Sequence, residues 1–358
     1  MKTTAGTYTA LICVCTVISH CFSQHASFQG LGDLPGGAFE SAAQAISSDG
    51  SVVVGSGTTL LGKQAFRWTQ STGIVSLGNV HDNSFKESRA YNVSTDGMVV
   101  VGSGDIGPGP NSSRGFVWSK DSGMVNTGSL DGSARSEAWA ISADASVVVG
   151  DGGLQAFRWT QSGGIVGLGA IPGRANSRVV CVSTDGSVAA GSSYDLPSWS
   201  NEQACRWTQR EGMIGLGFLP GSRYSFATAV SPDGSVIVGT SSDSSGYPAF
   251  RWAQNTGMVS LGHLPGRNTT HPFGANSDGS IIIGSSFSDR THGTAFIWDR
   301  THGMRPLQEV VLTDYGLNLP GWNLQSANAI SRDGGVIVGR GTNPSGQQEA
   351  FRLVLYVP

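Results

Sequence analysis

The sequence predicts an all-β fold built from seven repeats of one four-stranded unit, and three observations carry that prediction. The stretch Ala-Val-Ser-Pro-Asp-Gly-Ser-Val-Ile-Val-Gly at 229–239 has near copies at 45–55, 92–102, 140–150, 181–191, 275–284 and 329–339. A period of about 45 residues overrides the two or three average domains that length alone would suggest. The composition is rich in Gly, 52 of 358 residues, and low in charge at 13%, which favours short strands and tight turns over long helices. Finally, Phe28-Gln-Gly-Leu-Gly32 near the start matches the fourth segment of the repeat, the segment that the last repeat lacks.

In the first full copy, Ala43-Gln-Ala-Ile-Ser47 alternates as a strand with one packed face, and Ser48-Asp49-Gly50 is the hairpin turn after it. Val52-Val-Val-Gly55 is a short β-branched run suited to a strand covered on both faces, followed by a loop from 56 to 64. Ala65-Phe-Arg-Trp68 is the third strand, with Phe66 and Trp68 on one side and Arg67 on the other. Gly73 suits the next turn, and 74–78 is the fourth strand.

Four antiparallel strands at this spacing are the signature of a propeller blade, whose faces pack on two neighbours. The aromatic pair recurs as Phe116 and Trp118, Phe157 and Trp159, Phe250 and Trp252, Phe296 and Trp298, with Cys205 before Trp207 and Leu353 after Phe351, and it is expected as inter-blade core. The expected fold is therefore a seven-bladed β-propeller with blades at 41–78, 88–128, 136–169, 177–217, 225–262, 270–307 and 325–358, the last completed by 28–32. Pairing of that N-terminal strand with the C-terminal blade closes the ring and removes its free edges.

Departures from the repeat carry their own expectations. Ala145 stands where the other turns have Gly, so blade three turns without the usual residue. An insertion at 308–318 in the last unit holds a helical turn at 309–313. Cys181 falls on the first strand of its unit and Cys205 on the third, about 10 Å apart across the intervening strand, so two buried free thiols are expected.

Lys2, an apolar run from Ala10 to Phe22 and small or polar residues up to Ser23 predict a secretory signal peptide at 1–23 and a secreted, periplasmic or cell-surface protein. No later stretch approaches the roughly 20 apolar residues of a spanning helix. A net charge of −3 argues against nucleic-acid binding through bulk electrostatics, and the expected state is a monomer.

The Ala-Phe dipeptides at Ala65, Ala156, Ala249, Ala295 and Ala350, the Leu-Gly-x-Leu-Pro-Gly segments and Gly321-Trp-Asn-Leu324 before the last inner strand resemble the HAF extracellular repeat family. The resemblance covers nearly all of the chain after the leader and implies a secreted, propeller-like bacterial protein. It departs at the residue before Ala-Phe, which is Gln, Pro, Thr or Glu and never His, so no ring of His ligands is expected.

Function is expected on the face that bears the strand-four crossovers and the variable loops 103–114, 151–155, 192–203, 240–248, 285–294 and 340–349, since the opposite, hairpin face is regular. The crossovers carry Arg89, Arg135, Arg174, Arg223 and Arg267, and a ring of guanidiniums there would suit a carboxylate or sulfate. Pairing with Glu87 and Glu137 is the alternative. Tyr194, Trp199, Tyr247 and Phe287 in the variable loops suit sugar rings or a protein partner.

No nucleophile elbow, HExxH pair, phosphate-cradling loop or EF-hand spacing occurs, and the histidines do not recur at one repeat position, so no metal or cofactor is expected. The leading expectation is a binding module for a glycan or protein. A hydrolase or lyase on an acidic glycan, using Glu40, Glu87 or Glu137, is the alternative, and a purely structural surface protein the third.

Overall fold

Each blade is a meander in which strand order in space follows order in sequence, as in Ser41–Ile46, Val52–Thr59, Gly62–Thr69 and Gly73–Ser76 of blade one. The computed structural model describes residues 26–79, 87–107, 112–133, 135–196, 201–289 and 293–355, and holds seven such four-stranded antiparallel sheets. The predicted leader and Trp199 lie outside the described residues. Among the described residues no helix is long and apolar enough to cross a membrane.

The ring closes as the sequence predicts. Strand Ser27–Gly30 pairs antiparallel with Gln348–Val354, Phe28 opposite Leu353 and Gly30 opposite Phe351, and becomes the outer strand of blade seven. Phe28 stacks on Phe351 at 5.6 Å between ring centroids and meets Trp322 edge-on at 4.8 Å.

The serine latch that joins blades one to five also spans this closure. A serine at the start of an inner strand reaches back to the preceding blade. Ser88 donates to the Gly78 carbonyl and accepts from the Ala65 amide, and Ser136, Ser177 and Ser225 repeat the arrangement. At the closure Ser41 donates to the Gly32 carbonyl and accepts from the Ala350 amide. The third-strand arginine makes a second latch: Arg67 Nε donates to the Gly97 carbonyl at 3.1 Å, and Arg352 Nε donates to the Gly50 carbonyl at 2.9 Å across the closure.

Packing between blades is apolar. Phe66, Phe116, Phe157, Phe250, Phe296, Phe351 and Cys205 are all 0% exposed, at one repeat position. Each such Phe stabilises the ring by about 2–3 kcal/mol through burial. Phe66 packs with Ala43 and Val53 of its own blade and Val338 and Ala350 of blade seven.

Three sequence expectations hold in detail. Ala145 adopts a φ of 60°, the only positive φ outside glycine among the described residues. The insertion forms helix Leu307–Thr313, which buries Leu307, Val310 and Val311. Cys181 and Cys205 are free and buried.

One expectation is corrected. The second strand does not stop at its glycine: Val52–Thr59 runs on through Gly55 and pairs with Gly62–Thr69, leaving a turn at 60–61 where a loop of 56–64 was expected. Gly55 serves close approach and not chain reversal. The inner strand bulges between Ala43 and Ala45, and a Cβ on Gly55 would collide with the Ala42 carbonyl oxygen. The same register shift and the same collision recur in all seven blades.

Candidate ligand chamber at the crossover end of the channel

The bulge has a product, because the extra residue it inserts points into the central channel. Those residues are Gln44, Tyr91, Trp139, Val180, Thr228, Phe273 and Asn328, one per blade, and all seven line a cavity of about 720 Å³ along the axis. Two residues further on, Ile46, Val93, Ile141, Val182, Val230, Ala275 and Ile330 form an apolar belt beneath them. Below the belt neighbouring turns are joined by backbone hydrogen bonds, Ser48 N to Thr95 O, Thr95 N to Ala143 O, Ala143 N to Thr184 O and Thr184 N to Pro232 O. Pro232 has no N–H to continue the series, and Asp233 N donates to Ser277 O instead. Inner strands start on the crossover side, so the polar and aromatic end of the channel opens there and the apolar, hydrogen-bonded end faces the regular turns.

The chemistry concentrates on blades two to five. Tyr91 and Trp139 stack with ring centroids 4.3 Å apart and 19° between planes. Each is fixed at its polar end: Tyr91 Oη bonds Ser103 Oγ at 2.9 Å, and Trp139 Nε1 donates to Asp151 Oδ1. The indole is thus held in one orientation beside the cavity. Arg135 bonds Glu137 Oε1 through Nε and Nη2. Arg178 bonds Ser192 Oγ through Nε and Glu202 Oε1 through Nη2, and its guanidinium lies 4.4 Å from the Phe226 ring centroid.

Burial sets the titration of this cluster. Glu137 and Asp151, opposite each other on paired strands, are raised above the usual carboxylate range chiefly by desolvation, with Asp151's charge raising Glu137 further. Tyr91 is pushed up to about 12 by burial and then by the Glu137 charge.

The residues singled out in the sequence are dispersed. Arg135 and the buried Tyr194 line the main cavity, as does Phe287. Arg89 lines a side pocket and pairs with Glu87 at 2.7 Å. Arg174 pairs with Asp195 at 3.8 Å, Arg267 bonds Ser288 and Thr294, and Arg223 is exposed; none of these three lines either cavity. The expected ring of five guanidiniums is therefore not formed: counted to the bulged residue of the inner strand, Arg89 is two and Arg135 four residues away, whereas Arg223 is five and Arg174 and Arg267 are six, further back along the crossover. Tyr247 is 47% exposed and meets Tyr224 edge-on. Glu40, Glu87 and Glu137 are ion-paired, with Lys63, Arg89 and Arg135.

Tyr91, Trp139, Asp151, Arg178, Phe226 and Arg340 escaped the sequence reading, although a signal for them exists. Aligned by repeat, the packing columns of the inner strand hold Ser, Ala and similar small residues, whereas the columns between them vary freely: Ala42, Arg89, Glu137, Arg178, Phe226, His271 and Ser326 in one, the bulged, channel-lining residues in the next. The residue after the bulge glycine is Ser56, Ser103, Ser192, Thr240 and Ser285 in five blades, and Asp151 and Arg340 in the other two. Variation inside a regular strand marks the channel.

The side pocket, of about 150 Å³, lies between blades seven, one and two and is lined by Glu40, Lys63, Arg89, Arg340 and Gln348. Gln44 and Arg340 line it and the main cavity both. Among the described residues no group of three or more His, Cys, Asp or Glu side chains is placed to hold a metal ion.

No family model matches the chain, and no curated protein sequence matches it at a significant level. Solved structures do match. An oligogalacturonate lyase in complex with manganese superposes with a TM-score of 0.57 at 12% identity, over 93% of this chain and 98% of the other. The β-propeller domain of the Trilobed protease from Pyrococcus furiosus gives 0.54 at 9% identity, over 87% and 94%. Kuenenia stuttgartiensis hydrazine synthase gives 0.51 at 14% identity, over 89% and 96%. The likeness is one of fold: this chain is a β-propeller.

Proposed function

We propose that the protein is an exported binding module that takes a glycan segment at the crossover end of its channel. The observation that supports this most is the Tyr91–Trp139 pair, an aromatic surface held rigid by Ser103 and Asp151 and placed on a cavity wall. Aromatic planes of this kind suit the flat faces of sugar rings. A cavity of about 720 Å³ lies within the size range of small-ligand sites and is too small for a folded partner. Only Arg135 of the five crossover arginines lines the chamber, a dispersal that fits binding better than a single catalytic pocket. Export rests on the leader and on the resemblance to extracellular HAF repeats.

A glycan-array screen of wild type, Trp139→Ala and Arg223→Ala tests the reading. Wild type and Arg223→Ala bind the same glycans, and Trp139→Ala loses at least tenfold in affinity with an unchanged circular dichroism spectrum. Wild-type binding to no glycan, or full binding by Trp139→Ala, overturns it; capture of a peptide by wild type in its place would make the partner a protein.

A second reading, a hydrolase or lyase on an acidic glycan, is favoured by one observation, the facing Glu137 and Asp151 with raised pKa values. Product release from a bound oligosaccharide, abolished in Glu137→Gln, would select it.

A further inference from the structure

We infer that the side pocket beside the chamber is an oxyanion subsite, so that the ligand is an acidic saccharide presenting a carboxylate or sulfate one step along from the ring held at Tyr91 and Trp139. This rests on the glycan reading for the ring and on separate residues for the anion. Three cations, Lys63, Arg89 and Arg340, and one carboxylate, Glu40, line the pocket, a local balance of 3 − 1 = +2 in a chain whose net charge is −3.

Two of the cations have partners that an incoming anion can displace. The Lys63–Glu40 and Arg89–Glu87 pairs have side chains 38–46% exposed, where ion pairs contribute little. Arg340 is different: it is exposed, and among the described residues it makes no ion pair. It also breaks the repeat, standing where sibling blades carry Ser56, Ser103, Ser192 or Ser285, so the scaffold does not need it. A guanidinium without a carboxylate is suited to bidentate capture of one.

Continuity with the chamber is geometric. Arg340 and Gln44 border both cavities. Arg89 precedes Tyr91 by two residues on one strand, which places it about 7 Å along the same channel-facing side. An anion in the pocket and a ring on the aromatic pair are therefore neighbouring parts of one ligand.

The test measures affinity for a neutral, a uronate-containing and a sulfated oligosaccharide of equal length, using wild type, Arg340→Ser and Trp139→Ala, together with thermal shifts in inorganic sulfate. Arg340→Ser keeps the fold, since serine occupies that position in sibling blades. Wild type is expected to prefer at least one acidic saccharide over the neutral one by about tenfold, with affinity falling as salt rises. Arg340→Ser should remove that preference, and a preference kept in Arg340→Ser overturns the subsite. The arm that retains preference identifies carboxylate or sulfate. Equal wild-type affinity for neutral and acidic saccharides overturns the subsite and leaves the chamber standing. If no saccharide binds, the glycan reading fails, and the subsite is then judged by sulfate alone: a stabilisation present in wild type and absent in Arg340→Ser supports it, and identical shifts overturn it.

Discussion

The carbonyl oxygen of Glu137 occupies the space that a Cβ on Gly150 would need. Glu137 holds Arg135 and stands opposite Asp151, both on the chamber wall, and Gly150 sits inside the second strand of the same blade, so one contact ties the scaffold to the site. The bulge that pushes the carbonyl forward also inserts Trp139 into the channel wall. Gly150→Ala must therefore flatten the bulge or shift the second strand, at a cost of about 3 kcal/mol. Gly257→Ala is the comparison, because its Cβ meets nothing and only its φ of 66° is unfavourable, worth about 1 kcal/mol. Urea denaturation of the two variants checks the difference; equal losses would mean that the bulge is not rigid.

Ring closure makes a second prediction. Phe28 is half-buried against Phe351 and Trp322, on a strand whose pairing replaces a covalent connection. Phe28→Ala should cost about 2 kcal/mol and lower Tm by several degrees. Gln29→Ala, on the exposed side of the same strand, should be near neutral. A stability unchanged in Phe28→Ala would show that the N-terminal strand does not hold the ring together.

The architecture was legible because a repeat repeats its physics. The Asp-Gly turns, the Phe of the third strand and the missing fourth strand at the C-terminus each follow from local chemistry, and seven copies leave little room for another arrangement. The site was less legible. Arg174, Arg223 and Arg267 looked equivalent to Arg135 in sequence, but Arg135 lies four residues before the bulged residue of its inner strand and the others five or six, a difference that shows only once the bulge is known. Trp139 and Tyr91 sit within a strand that reads as alternating, and nothing in one copy shows that alternation there points to a channel. Comparison of columns between copies would have found them.

Cys181 and Cys205 should be inert in the folded protein. Burial pushes the Cys181 thiol up to about 12 and raises Cys205 as well, so neither holds an appreciable thiolate at pH 7. Native protein should take up no iodoacetamide at these positions, while denatured protein is alkylated at both. Their packing in separate clusters on the two faces of blade four keeps them from bridging, even in an oxidising compartment.

Acid should loosen the turns together. In each of blades two, three and four, a turn aspartate accepts from the serine two residues before it, and this hydrogen bond leads the depression of Asp96, Asp144 and Asp185, Asp144 to about 2. A carboxylate depressed in the folded state stabilises it fully above the unfolded value near 4, and that contribution is lost as pH falls through the folded value. The side chains are exposed and screened, so each gives little, but the same motif is repeated around the ring. Stability measured from pH 5 down to pH 2 should fall steadily, with a shallower slope in Asp144→Asn; a flat profile in wild type would contradict the assignment.

Ala145 offers a test in the stabilising direction. Its φ of 60° lies where a Cβ is unfavourable by about 1–2 kcal/mol, and the other turns place glycine there. Glycine also frees the unfolded chain, which returns about 0.5–1 kcal/mol of the gain. Packing adds a further term: the turn glycines press on the residue at or just before the start of the preceding blade's second strand, as Gly97 does on Val52 and Gly186 on Val147, and Ala145 packs into the cluster with Val99, which is less buried than Val52 or Val147. Ala145→Gly removes the extra methyl and the strain together. Chemical denaturation should show a gain of about 1 kcal/mol with no change in the binding of any chamber ligand, since the turn lies at the far end of the channel; a loss would mean that the methyl's contact with Val99 outweighs the backbone strain.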